Sequence, residues 1–221
     1  MVKFDGNASL KMPKDDEPVA FPLLSTAYLP PVSYFSILKK SETVFLEQYE
    51  HYIKQTYRNR CKILTANGVM SLVIPVEKIK NERIPIRDVR LAAHVDWQTQ
   101  HWRALKSAYN STPFFEFYAD DLLPFYKQKW RFLLDFNLQM LAKLLELTDI
   151  QTKIILTENY QMPSEKFIDS RNNIHPKKNY QDRPFTPYYQ VFRERFGFSP
   201  DLSVVDLLFN MGNESLFYLE D

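Results

Sequence analysis

The sequence contains little glycine and almost no cysteine. Four glycines occur in 221 residues, where average usage of about 7% would give about 15. Because phosphate-binding loops need clustered glycines and these four are scattered, the chain lacks both a G-x-G-x-x-G loop and a P-loop. The single cysteine, Cys61, allows no internal disulfide, which favours a reducing compartment.

The chain also lacks a long apolar run and an excess of charge. No apolar stretch approaches the ~18 residues that suggest a membrane-spanning helix, and the first 20 residues contain no apolar core of a signal peptide. The net charge of +1 gives no global field for nucleic acid or an anionic membrane. We therefore expect a cytoplasmic protein without a membrane span and without a nucleic-acid partner.

Aromatic residues, by contrast, are abundant. The chain contains 17 Phe, 13 Tyr and 3 Trp, which together make up 15% of its residues. Its hydrophobic share of 45% and its charged share of 25% are ordinary for a globular protein. The aromatic content therefore indicates a large packed core, an aromatic-lined site, or both.

The order of the predicted elements indicates an α/β fold. A strand over 19–26, a helix over 33–40 and a strand over 43–49 form a βαβ unit, which suggests parallel pairing. Asn67-Gly68 between two β-rich runs is a strong hairpin signal, so the sheet also has an antiparallel part. We predict a mixed sheet flanked by helices, with an α+β fold as the alternative.

Helical periodicity predicts three helices in the middle of the chain. The first covers 97–110 and is capped by Asp96. The second starts near Asp120, and the third covers 127–147.

A further helix is predicted near the end of the chain, over 204–211. Ser203 is its expected N-cap, and Asp206 three residues later completes a variant of the capping box. Gly212 supplies the C-terminal stop.

The predicted domain organisation is a flexible N-terminal segment over 1–18 and a single α/β domain over 19–221. Within that domain, residues 158–187 show little periodicity and are rich in Asn, Lys, Pro and Asp. Such a long loop suggests a lid, a binding loop or a mobile segment.

The segment after the first predicted strand is a candidate binding site. It reads Tyr28-Leu29-Pro30-Pro31-x-x-Tyr34 and leads from a strand into a helix, and in α/β sheets ligands bind in such crevices. Because the segment has no glycine, contacts to a ligand would come from side chains. The alternative is a rigid strand-to-helix turn whose tyrosines pack on the sheet.

A basic segment follows. On a strand, Arg58, Arg60 and Lys62 would share one face, and Asn59 and Cys61 would share the other. Arginine suits carboxylate or phosphate, so the first face is a candidate anion site. The alternative is a solvated face of an edge strand, and the inward position of Cys61 predicts an inert thiol.

His101 lies on the apolar face of the predicted 97–110 helix, together with Trp97. A histidine there could act as a general base near neutral pH, and the alternative is a satisfied core histidine. One cysteine and four dispersed histidines have no zinc-site spacing, so we predict no metal site and assign no cofactor.

A series of short motifs runs in order from about residue 24 to residue 215. It comprises Tyr28-Leu29-Pro30 with Tyr34-Phe35, Tyr57-Arg58-Asn59-Arg60 with Lys62-Ile63, Val73-Ile74-Pro75-Val76, Trp97 with His101 and Tyr109, Asp135 with Asn137, and the closing segment from Pro200 to Gly212. Together these motifs resemble the WbqC-like protein family. Longer members carry an additional segment before the closing motif, where this chain has residues 158–187.

The resemblance implies a bacterial protein, often encoded near surface-polysaccharide (O-antigen) genes. It implies a transferase that modifies an amino sugar or nucleotide-sugar by acyl or aminoacyl transfer. The candidate catalytic residue is His101, and the candidate substrate-binding residues are Tyr28, Tyr34, Arg58, Asn59, Arg60, Trp97, Asp206 and Asn210.

Two functions stay open. The first is a transferase that acts on an anionic small molecule, such as a sugar nucleotide or a carboxylate, in a pocket walled by aromatics and faced by arginines. The second is a non-catalytic binding or assembly protein, in which His101 is structural. A homodimer is kept open under either function.

Overall fold

The structure is a computed structural model that describes residues 20–78, 83–178 and 185–219. The predicted flexible segment 1–18 lies outside these residues. Along the described chain the elements are β1 (Phe21–Ser25), α1 (Val32–Lys40), β2 (Thr43–Glu47), β3 (Arg60–Thr65), β4 (Gly68–Val73), a 3-10 turn (Ile86–Asp88), α2 (Trp97–Tyr109), α3 (Phe115–Lys127), α4 (Leu133–Leu147), β5 (Lys153–Leu156), β6 (Phe167–Asp169), α5 (Arg193–Phe196), α6 (Val204–Met211) and a second 3-10 segment (Gly212–Tyr218).

Four strands form a parallel sheet in the spatial order β5-β2-β1-β6. Helix α1 connects β1 to its parallel neighbour β2, which confirms the predicted βαβ unit. Side chains alternate between the two faces of the sheet. One face contributes Leu24, Val44 and Leu46 to the main core, and the other buries a small cluster around Leu23 and Phe45. Burial on both faces explains why these strands are apolar throughout.

The predicted hairpin is also confirmed, with β3 and β4 paired antiparallel from Arg60↔Val73 to Thr65↔Gly68. The two turn residues are Ala66 and Asn67, one position earlier than the predicted Asn67-Gly68. Gly68 begins β4 with a φ of 98°, a conformation that favours glycine. The hairpin forms its own two-stranded sheet and does not join the parallel one. The α/β fold class with both kinds of pairing is therefore confirmed, and the two kinds occur in separate sheets.

The middle helices differ from their predicted starts. Helix α2 begins after Asp96 as expected, and the Asp96 carboxylate accepts the Thr99 N–H at 3.4 Å. Helix α3 begins at Phe115, well before Asp120, so its proline lies inside the helix and not in the first turn.

Helix α4 begins at Leu133 and not at 127. The residues before it are extended because they pair with a neighbouring segment: Leu91 N–H donates to the carbonyl of Arg131 at 3.0 Å, and Leu133 N–H donates to that of Val89 at 2.9 Å. Tertiary pairing therefore overrides the helical periodicity there.

The predicted loop 158–187 contains a strand. Strand β6 pairs in parallel with β1, with Phe21 opposite Phe167 and Leu23 opposite Asp169. It has only three residues, too few to show a hydrophobic period. Residues 179–184 of the predicted loop lie outside the described part.

Helix α6 confirms the predicted bounds 204–211 and both of its predicted ends. The Ser203 hydroxyl accepts the Val205 N–H at 3.4 Å, and Gly212 ends the helix with a φ of 58°. Throughout the part of the chain that the structure describes, no helix has the length and apolar character needed to cross a membrane.

Candidate functional site

A crevice lies at the carboxyl ends of β1 and β6. It is lined by residues that include Ser25, Thr26, Tyr34, Arg58, Ser170 and Arg171. The chain leaves β1 toward β2 on one side of the sheet and returns to form β6 on the other, so the crevice lies at a topological switch point, where open α/β sheets bind ligands. We call it the β1–β6 crevice. Its free volume is about 10 Å³, the room of about one water molecule.

A buried ion pair forms one wall of the crevice. The Nε of Arg58 donates to Glu50 Oε1 at 2.8 Å, and its Nη2 donates to Glu50 Oε2 at 2.5 Å. Arg58 is only 3% exposed, so the alternative of a solvated strand face does not hold for it. Its Nη2 also donates to the Ser25 hydroxyl at 2.7 Å.

The Ser25 hydroxyl lies between charged groups. Besides accepting from Arg58, its oxygen is 3.1 Å from Glu50 Oε2 and 3.2 Å from the carbonyl oxygen of Arg171. A serine hydroxyl has one proton, so Ser25 donates to one of these two acceptors at a time. Tyr34 donates its own hydroxyl to the Ser25 carbonyl at 3.0 Å, and burial raises the pKa of that tyrosine.

A second arginine forms another part of the crevice wall. Arg171 donates from Nε to Asp169 Oδ1 at 2.9 Å and from Nη2 to Asp169 Oδ2 at 2.5 Å. Hydrogen bonds to Arg171 hold the pKa of Asp169 below its ordinary value. Arg171 Nη1 is 3.5 Å from Glu47 Oε2, and it is buried without a hydrogen-bond partner among the described residues.

The two arginines are therefore held in the same way. Each uses its Nε–Nη2 edge for a bidentate contact with a carboxylate. Guanidinium has five N–H donors, so in Arg58 and Arg171 alike the Nη1 group lies outside this contact. Both arginines line the crevice, whereas the carboxylates that orient them do not.

The turn between β1 and α1 is fixed by hydrogen bonds to distant segments. Tyr28 N–H donates to the carbonyl of Tyr57, and Val204 N–H donates to that of Pro30, at 2.9 and 2.8 Å. Between these anchors Leu29 is fully buried with a φ of 39°, a left-handed conformation that costs a side-chain-bearing residue about 1–2 kcal/mol. The predicted alternative of a rigid strand-to-helix turn describes this segment well.

The structure places His101 in a buried aromatic cluster and not among the residues that line the crevice. Its Nδ1 is 3.0 Å from the Tyr28 hydroxyl, which is also 3.0 Å from that of Tyr126. The ring packs edge-on against Trp97 with centroids 5.2 Å apart. Burial lowers the pKa of His101 to about 4, opposed by a hydrogen bond to the backbone of Val73. A neutral, packed imidazole of this kind suits a structural role, and its catalytic role stays a prediction.

The predicted binding residues after Arg58 lie at the base of the hairpin. Asn59 donates from Nδ2 to the carbonyl of Ile74 at 2.8 Å, and Ile74 N–H donates to that of Asn59 at 2.8 Å. Arg60 begins β3 and is half-buried, with an Nε that has no hydrogen-bond partner within the described chain. Cys61 is fully buried, as predicted, and burial raises the pKa of its thiol.

The two predicted residues of α6 form a separate buried group. Asp206 accepts hydrogen bonds from the hydroxyls of Tyr109 and Tyr188, at 2.8 and 2.7 Å, and from Gln190 at 3.1 Å. The predicted capping-box role of Asp206 is therefore wrong. In a capping box its carboxylate would accept the Ser203 N–H, but that N–H donates to the carbonyl of Lys62, and the carboxylate faces the core. Burial raises the pKa of Asp206 to about 6, against the opposing effect of these hydrogen bonds.

Asn210 lies one turn further along α6 and donates from Nδ2 to the carbonyl of Asp206 at 2.7 Å. The nine candidate residues are thus divided. Tyr34 and Arg58 line the crevice, Tyr28, Trp97 and His101 share the aromatic cluster, Asn59 and Arg60 lie at the hairpin, and Asp206 and Asn210 lie in α6.

Sequence reasoning does not identify Arg171, which lines the crevice, or the carboxylates that hold the two arginines. Glu47 and Glu50 stand at and just beyond the end of an apolar strand, and charge in such a place is a usable signal. Asp169 and Arg171 fall in the predicted loop 158–187, so their position at a strand end does not follow from the sequence.

The model of the WbqC-like protein family matches residues 26–175, which is more than half of the chain. The chain belongs to the WbqC-like protein family. It is also similar to an uncharacterized protein, Rv1507c, of Mycobacterium tuberculosis (strain ATCC 25618 / H37Rv), at 25% identity over 225 residues that cover 89% of this chain and 96% of that protein. No solved structure matches the chain significantly.

Most of the crevice lies within the segment that matches the family. In this WbqC-like protein the matched span includes Arg58, Glu50 and Arg171, so both walls of the crevice belong to the part that defines the family. Ser25 directly precedes that span, and Asp206 and Asn210 lie beyond it.

Proposed function

We propose that this WbqC-like protein binds the anionic group of a small substrate in the β1–β6 crevice and acts as a transferase of surface-polysaccharide biosynthesis. The proposed reaction is acyl or aminoacyl transfer to an amino sugar or nucleotide-sugar. The observation that carries the proposal is the matched pair of arginines, Arg58 and Arg171, whose Nε–Nη2 edges are held by carboxylates. These contacts leave the Nη1 groups outside the carboxylate pairs, and guanidinium N–H groups are good donors to carboxylate and phosphate oxygens.

The size of the crevice limits what enters it. A free volume of about 10 Å³ holds about one water-sized atom, so only the outermost oxygen of an anionic group can enter the crevice. We therefore propose that one oxygen of a carboxylate or a sugar phosphate reaches the arginines that line the crevice, while the rest of the substrate lies outside.

Ser25 is the proposed proton carrier. In acyl transfer from a thioester the amine nitrogen bonds to the acyl carbon, the bond from that carbon to the sulfur breaks, and the sulfur leaves as a thiolate. The amine nitrogen loses a proton, and the thiolate takes up a proton from the solvent. The Ser25 hydroxyl, held between Arg58 and Glu50, is placed to accept this proton and to pass its own to Glu50. This proposal does not need His101, whose Nδ1 is bound to Tyr28.

Binding is tested by isothermal titration calorimetry with D-glucosamine 1-phosphate, which carries both an amine and a phosphate. Arg171→Lys keeps the charge but has no separate Nη1 group that can contact a ligand while the side chain binds Asp169, so we expect its Kd to rise about tenfold or more. Arg103→Gln removes an exposed arginine of α2 and should leave the Kd unchanged. Absence of saturable binding, or equal Kd values in all three proteins, would refute the site.

Transfer is tested by mass spectrometry after incubation with the same sugar phosphate and acetyl-coenzyme A. We expect an acetylated product from the unaltered protein and little from Ser25→Ala, with sugar binding retained by that variant. Binding without any product would instead favour the alternative function, a non-catalytic binding protein.

A further inference from the structure

A second, wider cleft opens at the N-terminal end of α2, away from the residues that line the β1–β6 crevice. Its free volume is about 510 Å³, within the range of about 300–1,000 Å³ that is typical of small-molecule sites. Its lining includes Arg90, Trp97, Lys129, Trp130 and Arg131. We call it the α2 cleft.

The α2 cleft has walls that are held by the backbone. Glu77 N–H donates to the carbonyl of Arg90 at 2.9 Å, and Leu91 N–H donates to that of Arg131 at 3.0 Å. These bonds join three separate stretches of the chain beside the opening. The cleft is therefore a formed feature of the fold and does not depend on an unpaired loop.

Three cationic side chains converge on this opening. Arg90 and Arg131 lie against the same Phe132 ring, with guanidinium carbons 5.9 and 5.1 Å from its centroid. Within the described chain, no ion pair with a carboxylate is formed by Arg90, Arg131 or Lys129. Like charges that line one opening and are not paired with carboxylates repel one another, and an anionic ligand relieves that repulsion.

The acidic groups of the cleft do not cancel this charge. Glu77 and Asp96 also line it, so three Lys/Arg side chains face two carboxylates. Asp96 accepts the Thr99 N–H at the start of α2, and the positive end of that helix adds to the attraction for anions.

The floor of the cleft is aromatic. Trp130 is half-exposed, its indole N–H already donates to the carbonyl of Phe125 at 2.9 Å, and its ring lies parallel to the Phe125 ring. Its own hydrogen bond is thus satisfied. The ring also packs at right angles to Phe136, with centroids 5.3 Å apart, and the part of it that stays exposed is an apolar surface for a flat group. Trp97 closes the floor and is 4% exposed.

We propose that the α2 cleft binds a phosphorylated, ring-bearing small molecule of the nucleoside phosphate class. The phosphates contact Arg90, Lys129 and Arg131, and the ring lies against Trp130. This second site goes beyond the proposed function of the crevice and stands or falls independently of it.

Tryptophan fluorescence tests this proposal, because two of the three tryptophans of the chain line the cleft. We expect a saturable change with uridine diphosphate, weaker binding of pyrophosphate and no binding of uridine. Arg131→Gln and Lys129→Gln alter exposed side chains, so both variants should fold, and each should raise the Kd for uridine diphosphate about tenfold.

Two controls separate this site from the crevice. Arg103→Gln should leave the Kd for uridine diphosphate unchanged, and so should Arg171→Lys. The proposal is overturned if uridine diphosphate at millimolar concentration gives no saturable signal, if both cleft variants bind it as the unaltered protein does, or if Arg171→Lys abolishes its binding. Equal affinity for pyrophosphate and uridine diphosphate would overturn the assignment of the ring to Trp130.

Discussion

Replacing the buried carboxylate of α6 by Asp206→Asn is expected to change how stability depends on pH. Burial raises the pKa of Asp206 from its ordinary 3.8 to about 6. One pKa unit corresponds to about 1.36 kcal/mol, so the rise corresponds to about 3 kcal/mol. Because the folded state holds the proton more tightly, this stability is fully present below the unfolded pKa and is lost as the pH rises through about 6.

His101 acts in the opposite direction over the same range. Burial lowers its pKa from 6.5 to about 4, so its contribution, again about 3 kcal/mol, is present above the unfolded pKa and is lost as the pH falls through about 4. In the unaltered protein the two contributions largely cancel. Asp206→Asn removes one of them and leaves the His101 dependence unopposed.

Urea denaturation followed by tryptophan fluorescence, at about pH 4 and about pH 7, measures the effect. Relative to the unaltered protein, Asp206→Asn should gain about 3 kcal/mol of unfolding free energy between the two pH values. Asp120→Asn, at an exposed position of α3, is the matched control and should show a constant difference. If Asp206→Asn also differs from the unaltered protein by the same amount at both pH values, the assignment of the raised pKa to Asp206 is refuted.

Three further variants test the packing around the sites. Glu50→Gln should lower the unfolding free energy in urea by about 3–5 kcal/mol, because Arg58 stays buried without its counter-charge. The exposed control Glu42→Gln should leave that free energy unchanged, and equal effects of the two variants would contradict the buried ion pair. Tyr28→Phe should cost about 1–3 kcal/mol in thermal unfolding, because His101 Nδ1 loses its partner; sugar-phosphate binding in the crevice should not change. Gly212→Ala should lower the melting temperature more than Gly197→Ala, since the new Cβ would lie 2.7 Å from the Phe114 ring, whereas nothing lies within 4 Å at Gly197.

The features that the sequence predicted well have local causes. Asn67-Gly68 marks the hairpin, because Gly68 adopts a positive φ directly after the turn, and Ser203 with Gly212 sets the two ends of α6. The βαβ start was also predictable, since apolar strands on both sides of a short helix leave few other arrangements. Each of these signals lies within a few residues of the structure that it produces.

The features that the sequence did not predict depend on hydrogen bonds between segments that are distant in the chain. Strand β6 exists because it completes the edge of β1, and its three residues have no period of their own. The backbone hydrogen bonds from Leu91 to Arg131 and from Leu133 to Val89 keep the residues before Leu133 extended, so α4 begins later than predicted. Asp206 fits a capping box by spacing, yet Tyr109 and Tyr188 draw its carboxylate into the core.

The candidate site shows the same division. The basic segment contains Arg58, which lines the crevice, and its role in binding stays a prediction. Glu50, which orients Arg58, and Arg171, which lines the same crevice, come from segments that meet only in the folded chain. The sequence correctly places His101 on the same helix face as Trp97, and in the structure that face packs into the buried aromatic cluster.

The buried left-handed Leu29 has a consequence for how the crevice behaves in time. A glycine in that turn would let the backbone sample other conformations locally, without disturbing anything else. Leucine stays at a φ of 39° only while its side chain is enclosed by the core. The turn that leads into α1 can therefore move only when the surrounding core opens. Such an opening is a slow, cooperative fluctuation and not a local one. A ligand meets a crevice rim that is already in its final form.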